Sequence, residues 1–199
     1  VRVRGLDRPQ NNARVPKAPG RLSWTRAQVL RDPRFYGLLP GILAPPFIIT
    51  GVLFHQIHLV ETKSWTLPAF AACYPLYAIS ATVVALGAGW MVDRFGAASL
   101  LRFYLLPLAL GLALLAVTDE IFAAAAFMIL MGASGGGATV VLGALWPELY
   151  GTRHLGAIRS LSVALLVLST AISPGLMGLL IDARLSLESQ FAMMSIYVF

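Results

Sequence analysis

The chain has 199 residues, of which 58% are hydrophobic and 12% charged, and its mean hydropathy is +0.76. Soluble domains carry about 25% charged residues, so the composition excludes water as the main solvent and points to a membrane-embedded protein. Nine of the fifteen Lys and Arg but only two of the nine acids fall in residues 1–34, a net +7 there against −1 for the remainder.

Residues 1–20 mix Arg, Asn, Pro9, Pro16 and Pro19 without hydrophobic periodicity and read as a basic linker. Few aromatics interleave with its cations and it abuts an apolar run. The expected partner is therefore anionic lipid under the positive-inside rule, with no nucleic acid. Arg2, Arg4 and Arg8 have no apolar run behind them, so they do not form a signal peptide. Ser23 is the expected cap of a short surface helix over Trp24 to Arg31, anchored by Trp24 and stopped before Pro33. The linker with this helix makes up residues 1–34, and a transmembrane helix bundle takes 35–199.

Spans are predicted at about 35–60, 68–92, 100–117, 121–146 and 161–181, with an incomplete sixth at 190–199. A chain opening on Val1 and closing on half a span reads as a fragment cut at both ends. The basic residues alternate: the linker, Arg94 with Arg102, and Arg153 with Arg159 fall on one side. The segments 61–65, 119–120 and 182–188 fall on the other, which places the linker and the Asp93/Arg94 turn in the cytoplasm. The lone Cys73 sits in an apolar run and excludes an intrachain disulfide.

The spans differ in character. The first holds Pro40, Pro45 and Pro46, each expected to kink or break it. The third is nearly all Leu and Ala after Tyr104 and is expected to face lipid. The fourth carries Gly132-x-x-x-Gly136 for close packing. On the fifth, Ala164, Ala171, Gly175 and Gly178 form a small-residue face expected to pack, while Ser162, Ser169 and Ser173 lie opposite and are expected to line water. No Asp, Glu, Lys or Arg falls in mid-span.

Between the second and third spans stands Gly89-x-x-x-Asp93-Arg94-x-Gly96. This turn resembles the loop signature of the major facilitator superfamily, in the copy between the eighth and ninth of twelve helices. Phe54-His55-Gln56-x-His58 with Glu61 and Trp65, Trp146-Pro147-Glu148-Leu149-Tyr150-Gly151 with Gly156, and Ser173-Pro174-Gly175 to Asp182 extend the resemblance from about Asp32 onward. They are most similar to bacterial members near the monocarboxylate and oxalate:formate branches.

The resemblance implies an all-α membrane protein, the C-terminal six-helix half of a twelve-helix fold with its last helix truncated. It implies a secondary transporter of the bacterial inner membrane, which moves a small-molecule substrate by alternating access against an absent N-terminal half. It brings no cofactor and no metal, and protons are the candidate coupling ion. The first and fourth spans would line the cavity, and the second and fifth would meet the other half. Asp93 would accept hydrogen bonds near Arg159 and Ser160 at the start of the fifth span, and Arg94 would pair with Glu148, so these four charges with Gly89 and Gly96 form the gating set. The family's usual basic residues are replaced here by Ala97 and Ala98, which weakens that latch.

Substrate contact falls to His55, Gln56, His58, Tyr74 and Tyr77. Imidazoles near a span end bind anions or relay protons, and tyrosines above a small-residue face can reach a solute. Two other readings compete: a non-transporting membrane scaffold, and an intramembrane serine protease of the rhomboid kind, which Gly132-Ala133-Ser134-Gly135 resembles. A protease needs a later histidine at the depth of Ser134. The one that follows, His154, is twenty residues on, roughly 25 to 30 Å along a helix. The expectation is therefore a protein that is not an enzyme.

Overall fold

The computed structural model describes residues 23–199; most of the expected basic linker lies outside them. Every regular element among these residues is a helix: α1 Arg26–Val29, α2 Pro33–Phe54, α3 Gln56–Thr62, α4 Leu67–Ala71 and α5 Tyr74–Phe95. They are followed by α6 Ala97–Leu100, α7 Leu106–Val117, α8 Ile121–Tyr150, α9 Leu155–Asp182 and α10 Leu187–Val198. Four stretches, Pro33–Phe54, Leu67–Phe95, Ile121–Tyr150 and Leu155–Asp182, are long and apolar enough to cross a membrane. These are the helices of an integral membrane protein.

Local chemistry sets the boundaries. The cap of α1 is Thr25 rather than Ser23, because Gln28 reaches back and its Oε1 accepts the Thr25 backbone N–H at 2.8 Å. α2 starts where the Asp32 carboxylate accepts from the Arg34 backbone N–H at 3.0 Å, with Pro33 in the first helical position.

The expected break at the prolines does not occur, and α2 runs unbroken past all three. Pro45 has no N–H to give the Gly41 carbonyl, and the Tyr104 hydroxyl donates to that carbonyl instead, at 2.7 Å. The break comes at His55, whose backbone leaves helical geometry before α3 restarts. The third span also divides, into α6 and α7 with a turn between them, and Pro107 sits in the first turn of α7.

The long helices interlock as two sets. In the first, α8 packs along α5, with α7 on its other flank and α10 beyond α7. The glycine pair at Gly132 and Gly136 makes the α5–α8 contact so close that a Cβ on either would collide with the carbonyl oxygens of Tyr77 and Ala81. Ser80 Oγ, donating to the Ile129 carbonyl at 2.7 Å, ties the same seam. The second set is α2 against α9.

Two expectations are corrected here. The third span does more than face lipid: α7 buries Leu108, Leu112 and Leu115 between α8 and α10 while Leu110 and Val117 stay exposed, and Ser195 Oγ donates to its Ala109 carbonyl at 2.8 Å. Gly111 lets Phe127 of α8 approach on one flank, so a Leu-Ala sequence serves core packing as well as lipid contact. The faces of α9 are also reversed. Ser162, Ser169 and Ser173 are buried, while Ala164, Ala171 and Gly175 are exposed and Gly178 alone of that face packs, against His55. Ser169 Oγ donates to the Leu43 carbonyl at 3.1 Å and Ser173 Oγ to the Phe47 carbonyl at 2.5 Å, so the hydroxyls bond the proline-containing α2. A hydroxyl facing a neighbouring helix finds an acceptor there that hydrocarbon cannot supply.

Candidate functional site

The Asp93 end of the bundle holds the turn that the sequence singles out. α5 stops at Phe95 because Gly96 takes φ +79, a backbone conformation that suits glycine, and the chain reverses into α6. The first free donor of α6, the Ala97 N–H, is accepted by Glu148 Oε2 at 2.8 Å, and a Cβ on Gly96 would sit 3.2 Å from the other carboxylate oxygen. Glu148 therefore caps α6 and does not pair with Arg94.

Arg94 instead stands over the exposed rings of Trp90 and Phe95, 5.5 and 5.6 Å from their centroids. Asp93 is exposed and makes no hydrogen bond or ion pair among the described residues. Arg159 lies with its guanidinium beside Gly143 of α8, and Ser160 bonds its own helix at the Ala157 carbonyl. The structure thus joins Gly96 with Glu148 and leaves Asp93, Arg94 and Arg159 apart. The reason is geometric: Gly96 turns the Ala97 donor toward α8, while Asp93 and Arg94 fall on the open face of α5. Gly89 has open space around it.

Beside this corner, Asp32 also accepts from the Tyr150 hydroxyl at 3.0 Å, and Tyr150 gives its carbonyl to the Trp24 N–H at 3.1 Å. Trp24, Tyr150, Trp146 and Phe35 form a continuous run of ring contacts, 5.5 to 6.2 Å between centroids. This run fastens α1 and the start of α2 to the end of α8.

Toward the opposite end lie the expected substrate residues. His55 Nδ1 bonds the Gly51 carbonyl at 3.0 Å, and its Nε2 faces Gly178 of α9. Gln56 Oε1 accepts from the Tyr74 hydroxyl at 2.7 Å, which joins α3 to α5. The Tyr77 hydroxyl lies against Gly135 of α8. His58 is exposed on α3, past the break at His55. Ser134 is buried and donates to the Tyr104 carbonyl at 2.7 Å, with no histidine bonded to it.

A charged cluster at this end escapes the sequence reading. Lys63, whose side chain is 1% exposed, reaches Asp119 Oδ1 at 2.5 Å and Glu188 Oε1 at 3.4 Å. The Trp65 indole N–H donates to the Asp119 carbonyl. Three connections, those after α3, α7 and α9, are thereby drawn together. Burial raises the affinity of the Glu188 carboxyl for a proton, but its own backbone N–H, the Lys63 ammonium and the Ser186 hydroxyl outweigh that and hold it below the usual carboxylate range. The available signal was a lone lysine in a segment otherwise poor in cations, facing acids in the next two segments on its side.

Among the described residues no group of His, Cys, Asp and Glu is arranged to hold a metal. No known family model matches the chain, and no curated protein matches it.

Proposed function

We propose that the chain is one six-helix half of a major facilitator transporter, which carries a small solute, an organic anion among the candidates, by rocking against a complementary half. The observation that supports the reading is that the helix pairs interlock, α2 with α9 and α5 with α8, and share two buried apolar clusters that join them into one body. Interlocked helices move as rigid bodies, and alternating access needs rigid bodies. The Gln56–Tyr74 hydrogen bond is a polar tie between the two sets, with His55 packed against Gly178 of α9 and Tyr77 against Gly135 of α8. Asp93, Arg94 and Arg159 have no ion-pair partner within the described residues, so in this reading they meet groups of the other half at the cytoplasmic face.

The test is uptake of lactate and oxalate into proteoliposomes holding this chain alone or coexpressed with a complementary half. Flux that requires both halves and falls with Asp93→Asn supports transport, whereas no flux in either preparation leaves the scaffold. A cysteine placed at Ala98, in a Cys73→Ala background, should resist impermeant maleimides in intact cells. Ready labelling there overturns the topology and the gating assignment with it.

A further inference from the structure

We infer that the last turn of α8, Pro147 to Tyr150, is a hinged clasp that holds the α1–α2 corner and the Gly96 turn together, so that neither comes loose without loosening the other. Two features set this turn apart from the helix that carries it. Pro147 lies inside α8 and has no N–H to return to the Gly143 carbonyl, so the turn is joined to the preceding helix by one hydrogen bond fewer. Beyond the turn, the Gly151 N–H closes on the Pro147 carbonyl at 3.0 Å and Gly151 takes φ +81, which ends the helix. A single turn with a missing bond before it and a glycine after it can pivot as a unit, because proline is where helices bend.

The turn holds a different neighbour with each of two side chains. Glu148 Oε2 accepts from the Ala97 N–H at 2.8 Å and so seats the Gly96 turn and α6. The Tyr150 hydroxyl donates to the buried Asp32, at the cap of α2, and the Tyr150 carbonyl accepts from the Trp24 N–H at 3.1 Å, ahead of α1. The Tyr150 ring also meets the rings of Trp24 and Trp146. Among the described residues no hydrogen bond joins Trp24 or Asp32 directly to Gly96 or Ala97. The polar link between the two neighbours therefore runs through this turn, and a pivot at Pro147 strains both attachments at once. The clasp relays the position of α1 to the corner that carries Asp93 and Arg94.

The inference concerns contacts within this chain and stands whether or not the chain transports anything. It is tested by hydrogen–deuterium exchange of the full chain in micelles, read by mass spectrometry on peptides holding Trp24 and Ala97. Tyr150→Phe removes the donor to Asp32 and should speed exchange at Trp24 about 2- to 10-fold, the worth of one hydrogen bond. It should also speed exchange at Ala97, whose N–H is bonded to Glu148 and not to Tyr150. Glu148→Ala should do the reverse, freeing Ala97 directly and Trp24 through the clasp. Pro147→Ala restores a donor for the Gly143 carbonyl, stiffens the joint and should slow exchange at both sites together. Exchange that rises in each of the first two variants only at the site whose own bond was removed overturns the inference. So does a Pro147→Ala variant that slows one site alone or neither. Where Tyr150→Phe or Glu148→Ala also speeds exchange in the middle of α8, the bundle as a whole has loosened, and the Pro147→Ala result decides.

Discussion

Replacing Gly136 with alanine isolates the contact that holds the larger set of helices together. An ideal Cβ at Gly136 would collide with the Ala81 carbonyl oxygen and lie 2.9 Å from its carbon and 3.0 Å from its Cα. All three are backbone atoms, so no rotamer change relieves them and α5 must move away from α8. Overpacking of this kind costs about 1 to 3 kcal/mol. Alanine also gains helix propensity over glycine, up to about 1 kcal/mol, which would mask part of the cost in a single variant. Two controls remove that term. Gly87→Ala on α5 meets nothing within 4 Å, and Gly135→Ala, one residue from the test site, meets only the Tyr77 side chain, at 3.4 Å from its hydroxyl. Unfolding of each variant in mixed micelles against increasing SDS, followed by circular dichroism, should place Gly136→Ala about 1 to 3 kcal/mol below both controls. Equal stability of the three variants would refute the close approach of α5 and α8, and the two-set architecture that rests on it.

Three further outcomes follow from polar groups that the sequence left unassigned. Tyr104→Phe removes the donor that serves the Gly41 carbonyl in place of Pro45, and an unsatisfied buried acceptor should cost about 1 to 3 kcal/mol in the same unfolding assay. At the Lys63 cluster, Asp119→Asn combined with Glu188→Gln leaves a buried ammonium without a counter-charge, so the double variant should lose more stability than the two single variants add up to. The folded Glu188 carboxyl titrates below its unfolded value. Its contribution is therefore complete above the ordinary glutamate pKa of about 4.3 and drains away as the pH falls through the folded value. The wild type should lose this increment on acidification and Glu188→Gln should not, measured as the difference in unfolding midpoint between neutral and acid pH.

The helical, membrane-spanning character was legible because twenty-residue apolar runs have few alternatives in lipid. The Gly132-x-x-x-Gly136 contact was legible for a related reason, since small residues at that spacing matter only where another backbone comes close. What the sequence misassigned depended on partners distant in the chain. Pro45 of α2 looked like a kink or break until Tyr104, 63 positions from Gly41, supplied the donor that Pro45 lacks. The serines of α9 looked like a wet face until α2 offered carbonyls 126 positions away. The family resemblance paired Arg94 with Glu148, yet a backbone N–H at a glycine-turned helix start competes well for a carboxylate.

The same competition makes the two ends of the bundle unlike in kind. At the Lys63 end, one buried cation gathers three connections through two carboxylates, so parting α3 from α10 would strand a charge in a low-dielectric setting. At the Asp93 end, the fastenings are a neutral-donor cap, a tyrosine hydrogen bond to the buried Asp32 and stacked rings, while Asp93, Arg94 and Arg159 stay exposed. Exposed charges lose little when a neighbour leaves and gain when one arrives. Under the proposed rocking motion, the Lys63 end therefore acts as a fixed anchor within this half. On the same proposal, the Asp93 end is where contacts with a second half would be made and broken at low cost, because Asp93 has no partner inside the described bundle and Arg94 meets only the exposed rings of Trp90 and Phe95.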